Sequence, residues 1–266
     1  MHAKATGVEG LWGLEQRLER VRTALPRAGA SARELTQPFP GRESGVYWTT
    51  VASVDAFDQW QALRGLTPDT GFWPVLLGAP DYARWDARRT ERAAAGPFAA
   101  GHLQEAETRF AGDWFVRRHT QRPAFMRPEG ADWHERWPDG VRPREAFRPI
   151  PAHEPEQAMG LFPTTEGWRC PAYWNWWVAN ADLTPVDHCC VLRHWAARYG
   201  AEPVMMAGEA VLQLRVARPP RDRRTAMQLA VEHYLYCTDR VDQGTRTLER
   251  LAAELLDAPV WYFWFD

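Results

Sequence analysis

Apolar residues at Leu11, Leu14, Leu18, Val21 and Leu25 recur at intervals of three and four, one face of an α-helix, and Pro26 marks its end. Beyond it the pattern dissolves into PRAGASARELTQPFPGRESG, so residues 1–44 read as a helix and an arm. GVYWTTV, from Gly45 to Val51, carries the β-branched and aromatic content of a strand. Ser53 or Asp55 then caps a helix in which Phe57, Trp60 and Leu63 share a face. GFWPVLLG, apolar and bounded by glycines, predicts a buried strand, and Asp81 opens a helix reaching to Gly96.

Between Gln121 and Thr164 prolines fall at 123, 128, 138, 143, 149, 151, 155 and 163, a spacing in which no regular element of ordinary length fits. The segment reads as a linker or an ordered excursion. Trp133 and Trp137 argue for docking onto the body, since disordered segments are poor in aromatics. The last hundred residues are patterned most clearly. Thr184, Pro185 and Asp187 form the layout of a capping box, and the helix they open runs to Tyr199 and stops at Gly200. PVMMAG and AVLQLRVA, around Gly208 and Glu209, predict a hairpin ended by Pro219 and Pro220. A helix from about Asp222 to Thr238 aligns Ala226, Leu229, Ala230, His233 and Cys237, and a second from Thr245 to Asp257 aligns Leu248, Leu251, Ala252 and Leu255. VWYFWF is apolar on both alternating faces, which suits a central strand.

The expected fold class is α+β: a mixed or antiparallel sheet backed by helices, with the C-terminal strand central. Residues 45–120 form an N-terminal α/β part, 121–164 the proline-rich segment and 165–266 a C-terminal α+β domain, packed with 45–120 as one unit. A chain of 266 residues can bury such a core.

Charge and composition then exclude chemistries. A formal charge of -2 gives no phosphate-tracking surface, so neither nucleic acid nor a membrane is an expected partner. The N-terminal apolar runs are broken by Glu and Arg and nowhere reach ~18 residues, which predicts a cytoplasmic protein. Four cysteines, Cys189 and Cys190 adjacent, make no disulfide framework at this size and read as reduced. Lys4 is the only lysine, which removes phosphate-loop, Schiff-base and kinase chemistry, and none of Ser31, Ser44 and Ser53 lies in a nucleophile elbow. The arginine excess over lysine reads as codon bias of a GC-rich genome.

Candidate chemistry gathers late in the chain. His233 sits mid-face between Leu229 and Cys237; buried, it must be hydrogen-bonded and neutral, and it either holds a neighbouring element or serves a ligand. His188, beside Val191, Leu192 and Trp195, has the same two readings. Cys190 with His194 and His233 with Cys237 are i, i+4 pairs able to hold zinc, but both cysteines serve equally as small core residues and no C-x-x-C is present, so no metal or cofactor is expected. Asp239, Asp242 and Gln243 cap a turn or reach a pocket beside His233. In PAYWNWWVANADLTPVDHCC, an extended YWNWW sends Trp174 and Trp176 to one side and Tyr173, Asn175 and Trp177 to the other, one side packing and the other lining a groove, with Asn180 and Asp182 in the following turn.

GWRCPAYWNWWVANADLTPVDHCCVLRHWAARYGAE, LRVARPP and AVEHYLYCTDRVDQGTRTLERLAAELLDAPVWYFWFD together resemble the bacterial domain-of-unknown-function family 4253, most closely from Trp168 onward, and DQWQALRGLTPDTGFWPVLLG is similar to its upstream segment. The matching positions include His188, Arg193, Trp195, Tyr199, Gly200, Glu232, His233, Cys237, Asp239, Gln243, Gly244, Trp261 and Trp264. Thr238 stands where the family would have proline, and Cys189 and Cys190 where it would have aliphatics, which weakens the zinc reading. The resemblance implies no activity; similar small domains often neighbour toxin and immunity genes. Two functions are therefore expected. One is a non-catalytic protein-binding module of immunity or regulatory type, with aromatic anchors drawn from Tyr173 to Trp177. The other is an enzyme or small-ligand binder whose pocket is framed by Trp176, His188, His233, Asp239 and Gln243.

Overall fold

The computed structural model describes residues 6–27, 35–37, 45–93, 98–121, 137–148, 154–208 and 210–266. Helix α1 (Thr6–Arg27) turns Leu18 and Val21 inward; the side chains of Leu11 and Leu25 lie outside the described part, as do Lys4, Trp133 and Glu209. Strand β1 (Tyr47–Ala52) leads through a 3₁₀ turn at Ser53–Asp55 into α2 (Ala56–Gly65). Neither expected cap operates there: Asp55 makes no capping bond, and the Ser53 hydroxyl instead accepts from Gln157 at 3.3 Å. The short α3 (Thr67–Thr70) ends at Gly71, whose φ of 70° suits glycine, before β2 (Trp73–Leu76), buried at every position.

After α4 (Pro80–Ala93) come two helices where the patterning predicts nothing, α5 (Phe98–Thr108) and α6 (Ala111–Gln121). Their apolar residues do not report burial. Val116 is 65% exposed while Ala106 and Trp114 are buried, so the 3.6-residue period is blurred. The proline-rich segment also holds a strand, β3 (Glu156–Phe162), contrary to expectation. Pro155 and Pro163 bracket it, and the interval between them contains no proline to remove a ladder N–H. Trp137, from the same segment, packs against the core under the guanidinium of Arg223.

After α7 (Cys170–Trp174), a helical turn the sequence did not predict, the C-terminal elements follow the predicted order: α8 (Pro185–Tyr199), β4 (Ala201–Ala207), β5 (Val211–Val216), α9 (Arg223–Tyr236), a π-helical turn (Arg240–Thr245), α10 (Leu248–Leu255) and β6 (Val260–Trp264). Among the described residues six strands form one mixed sheet in the order β1-β3-β2-β4-β5-β6, so β1 and β2 share it with β4, β5 and β6. Only β2 and β4 run parallel, and their ladder is short, Leu76 against Met205. Pro74 and Pro203 explain this, since neither has an N–H; their carbonyls take the indole N–H of Trp60 and Trp73 at 2.9 and 3.2 Å.

A row of side chains crosses one face of the sheet in register: Thr49, Met159, Leu76, Met205, Gln213 and Tyr262. That face packs beneath α1 and α2 around Trp60, Leu63 and Phe72. The other face, with Val75, Leu212, Leu214, Trp261 and Phe263, meets the larger core built on α8, α9 and α10. Burial of a single indole such as Trp195 or Trp261 is worth about 4–6 kcal/mol of apolar transfer.

The fold is α+β as expected, with one correction: β6 lies at an edge of the sheet. Apolar residues on both alternating faces report that both faces are covered, and say nothing of a neighbour in the hydrogen-bonding direction. Here Trp261 and Phe263 enter the large core, Tyr262 lies under Arg144 at 4.7 Å, and Trp264 is 38% exposed. Among the described residues no helix is long and apolar enough to cross a membrane.

Candidate functional site

The tryptophan run is not extended. Pro171 starts the single turn of α7, and Asn175 ends it at φ 52°, the left-handed conformation that asparagine tolerates better than most residues. The N–H of Trp176 returns to the Pro171 carbonyl at 2.9 Å. Trp174 and Trp176 are thereby buried and Tyr173 half-buried, while Trp177 stays 42% exposed. Each buried indole N–H finds an acceptor, Asp86 Oδ2 for Trp174 at 2.7 Å and the Gly208 carbonyl for Trp176. Asn175, buried, accepts from the Trp177 indole at 3.1 Å and fixes that ring. Asn180 and Asp182 occupy the next turn, closed by the bridge between Val178 and Leu183.

That turn delivers the chain to α8. The capping box forms as predicted: Thr184 Oγ1 accepts from the Asp187 N–H at 3.2 Å, and Asp187 Oδ2 accepts from the Thr184 N–H at 3.0 Å. The other Asp187 oxygen faces outward from the helix and accepts from Arg109 Nη1 at 2.7 Å and Trp114 Nε1 at 2.8 Å. Burial would raise this carboxyl, but the hydrogen bonds from Thr184 and Trp114 and the Arg109 charge outweigh it and hold the pKa below 3.8. Above the group lies a cleft of about 380 Å³, its wall formed by Arg117 and Arg118 of α6, Glu105 of α5, and Trp177. Arg109, Trp114 and Arg117 had no sequence signal, because they meet Asp187 from far away in the sequence, 78 and 73 residues for the first two. A second cleft, of about 590 Å³, lies between β1, β3 and the start of α4, with Trp48, Thr50, Asp81 and Glu156 in its wall.

The two histidines are separate and internal. His188 stacks on Trp176 at 4.3 Å, with its Nδ1 2.5 Å from the Tyr236 hydroxyl, and burial depresses its pKa to about 3. His233 is enclosed by Trp195, Trp261 and Phe263 at 4.8, 4.8 and 4.6 Å, and burial pushes its pKa well below 6.5. The expected hydrogen bond to it is absent: among the described residues neither ring nitrogen has a partner. A neutral imidazole N–H directed at an aromatic face gives a weaker substitute. Asp239, just before the π-helical turn, and Gln243, on it, touch neither histidine; they are bonded to each other at 3.2 Å, and Asp239 Oδ2 accepts from the Asp266 N–H. Of the five groups expected to frame a pocket, Trp176 and His188 touch, and none of the five lines either cleft.

The zinc pairs diverge as well. Cys190 Sγ approaches the Arg109 carbonyl, His194 pairs with Glu232 at 3.3 Å, and Cys237 Sγ lies 3.0 Å from the Trp264 carbonyl. Among the described residues no three His, Cys, Asp or Glu are grouped to hold a metal ion. All four cysteines are free and buried, and burial raises the thiols of Cys189 and Cys237 to about 12.

The helix, hairpin, two helices and strand that enclose these histidines coincide with a family match. Residues 158–266 match the family described as Domain of unknown function (DUF4253). The DUF4253 segment contains both histidines, Tyr236, Asp187 and Trp177, whereas Arg109, Trp114 and Arg117 lie outside it. The cleft is therefore built jointly by the DUF4253 segment and by α5 and α6. No curated protein and no solved structure matches the chain.

Proposed function

We propose that this chain is a non-catalytic protein-binding module, of immunity or regulatory type, acting in the bacterial cytoplasm and holding its partner at the cleft beside Trp177. One observation carries the reading. Of the four aromatic residues from Tyr173 to Trp177, Trp177 alone is substantially exposed, and its ring is already fixed by Asn175. A preordered indole beside arginines has the composition and rigidity of an interface hot spot, because little side-chain entropy is left to lose on binding. Tyr173, Trp174, Asn175 and Trp176 act behind it as support. The buried, neutral histidines and protonated thiols fit packing better than proton transfer or nucleophilic attack, which favours this reading over an enzyme or small-ligand binder. The free cysteines agree with a reducing compartment.

The test compares proteins retained from native lysate by the wild-type chain and by Trp177→Ala. The variant is expected to fold and to lose at least ~2 kcal/mol of affinity for whatever the wild type specifically retains. Equal retention by both would sink the reading.

A further inference from the structure

The groups around Trp177 indicate what docks there. Three guanidiniums, Arg109, Arg117 and Arg118, share the cleft with three carboxylates, Glu105, Asp182 and Asp187, so bulk charge does not decide the matter. Their commitments do. Asp187 Oδ1 already accepts from Arg109 and Trp114, and Oδ2 from the Thr184 N–H and hydroxyl at 3.0 and 2.7 Å. A carboxylate offers about four lone-pair positions, and those four donors fill them. Glu105 is held by Arg109 at 2.5 Å. Arg118 gives its N–H groups to the Ala181 and Leu235 carbonyls and lies over the Trp114 ring.

Arg117 differs from both neighbours. Its Nη2 lies 3.7 Å from Asp187 Oδ1, near enough for attraction but beyond hydrogen-bond reach, and its side chain is 48% exposed. Among the described residues its fork of donors thus has no hydrogen-bond acceptor, at the wall of the cleft that Trp177 also lines. A planar fork of this kind is matched by a carboxylate in a bidentate pair.

Resting on the docking reading above, we propose that the partner is a protein segment that seats an Asp or Glu carboxylate on Arg117 and lays an adjacent apolar side chain on Trp177. Charge complementarity selects this occupant: among the described residues Arg117 is the guanidinium of the cleft that makes no hydrogen bond, and the exposed ring of Trp177 lines the same cleft.

The experiment follows the Trp177 indole and Arg117 side-chain N–H signals of the full chain by NMR. The probes are an acetylated, amidated peptide of alternating Leu and Glu, the same peptide with Gln for Glu, and inorganic phosphate. The Glu peptide is expected to shift both signals, to bind at least ~10-fold more weakly to Arg117→Gln, and to weaken as salt rises. Arg117→Lys, which keeps charge without the fork, is expected to fall between. Equal binding of the Gln peptide, or undiminished binding of the Glu peptide to Arg117→Gln, overturns the carboxylate assignment and leaves the docking reading standing. A phosphate shift at Arg117 with no response to the Glu peptide also overturns it. No movement of the Trp177 signal with either peptide counts against both.

Discussion

At the scale of single residues, the two internal imidazoles make the molecule sensitive to acid. Above pH 6.5 His188 and His233 are neutral in the folded and unfolded states and add no pH dependence. Below it the unfolded chain takes up protons that the folded His188 refuses until about pH 3, so stability falls steadily through that window. The loss is up to about 1.4 kcal/mol per pH unit for each histidine. Urea unfolding between pH 7 and pH 5 is expected to show this, and His233→Phe to remove about half of the slope. An unchanged slope in that variant would mean position 233 is hydrated. Asp187 acts only lower, as its depressed pKa stabilises the fold above 3.8 and that stability is lost as pH falls further. The burial of position 233 was legible from its place between Leu229 and Cys237, because helical periodicity reports faces. The identity of its neighbours was not, since Trp195, Trp261 and Phe263 arrive from α8 and β6 through the sheet register.

At the scale of elements, α8 shows what local signals can and cannot say. Its start and stop were readable because a capping box and a glycine at φ 62° act within a few residues of the chain. The second duty of Asp187, binding Arg109 and Trp114, depends on where α5 and α6 dock and leaves no local trace. The two duties separate experimentally. Thr184→Ala, which removes the hydroxyl's bonds with the Asp187 N–H and carboxylate, is expected to cost about 1 kcal/mol. Asp187→Asn, which also strands the Arg109 guanidinium beside a neutral amide, is expected to cost about 3 kcal/mol. Chemical denaturation of the two variants checks the ordering; equal losses would show that the contacts to α5 and α6 add nothing. The tryptophan run misled for a related reason. Alternation of aromatic residues suggests a strand, but Pro171 and the left-handed Asn175 bend the same residues into a turn that still buries Trp174 and Trp176.

At the scale of the whole molecule, the sheet crosses the boundary of the matched family. Strands β3 and β4 both belong to residues 158–266 apart from the first two residues of β3, yet β2, which lies between them, comes from residues 73–76. A fragment of residues 158–266 alone would leave β3 without either sheet neighbour and expose the flank of β4. It is expected to lack a cooperative thermal transition and to associate, as unpaired strand edges do. Circular dichroism and size-exclusion chromatography decide this, and a monomeric fragment melting sharply would contradict it. The edge position of β6 belongs to this scale too, because strand order is set by connections across the sheet and not by the composition of one strand.

The same interleaving has a consequence during synthesis. When β2 (Trp73–Leu76) leaves the ribosome neither of its sheet neighbours has been made, since β3 (Glu156–Phe162) and β4 (Ala201–Ala207) both lie far downstream in the chain. The nascent N-terminal half therefore waits with both flanks of β2 bare, in the interval when a holding chaperone would have most to grip.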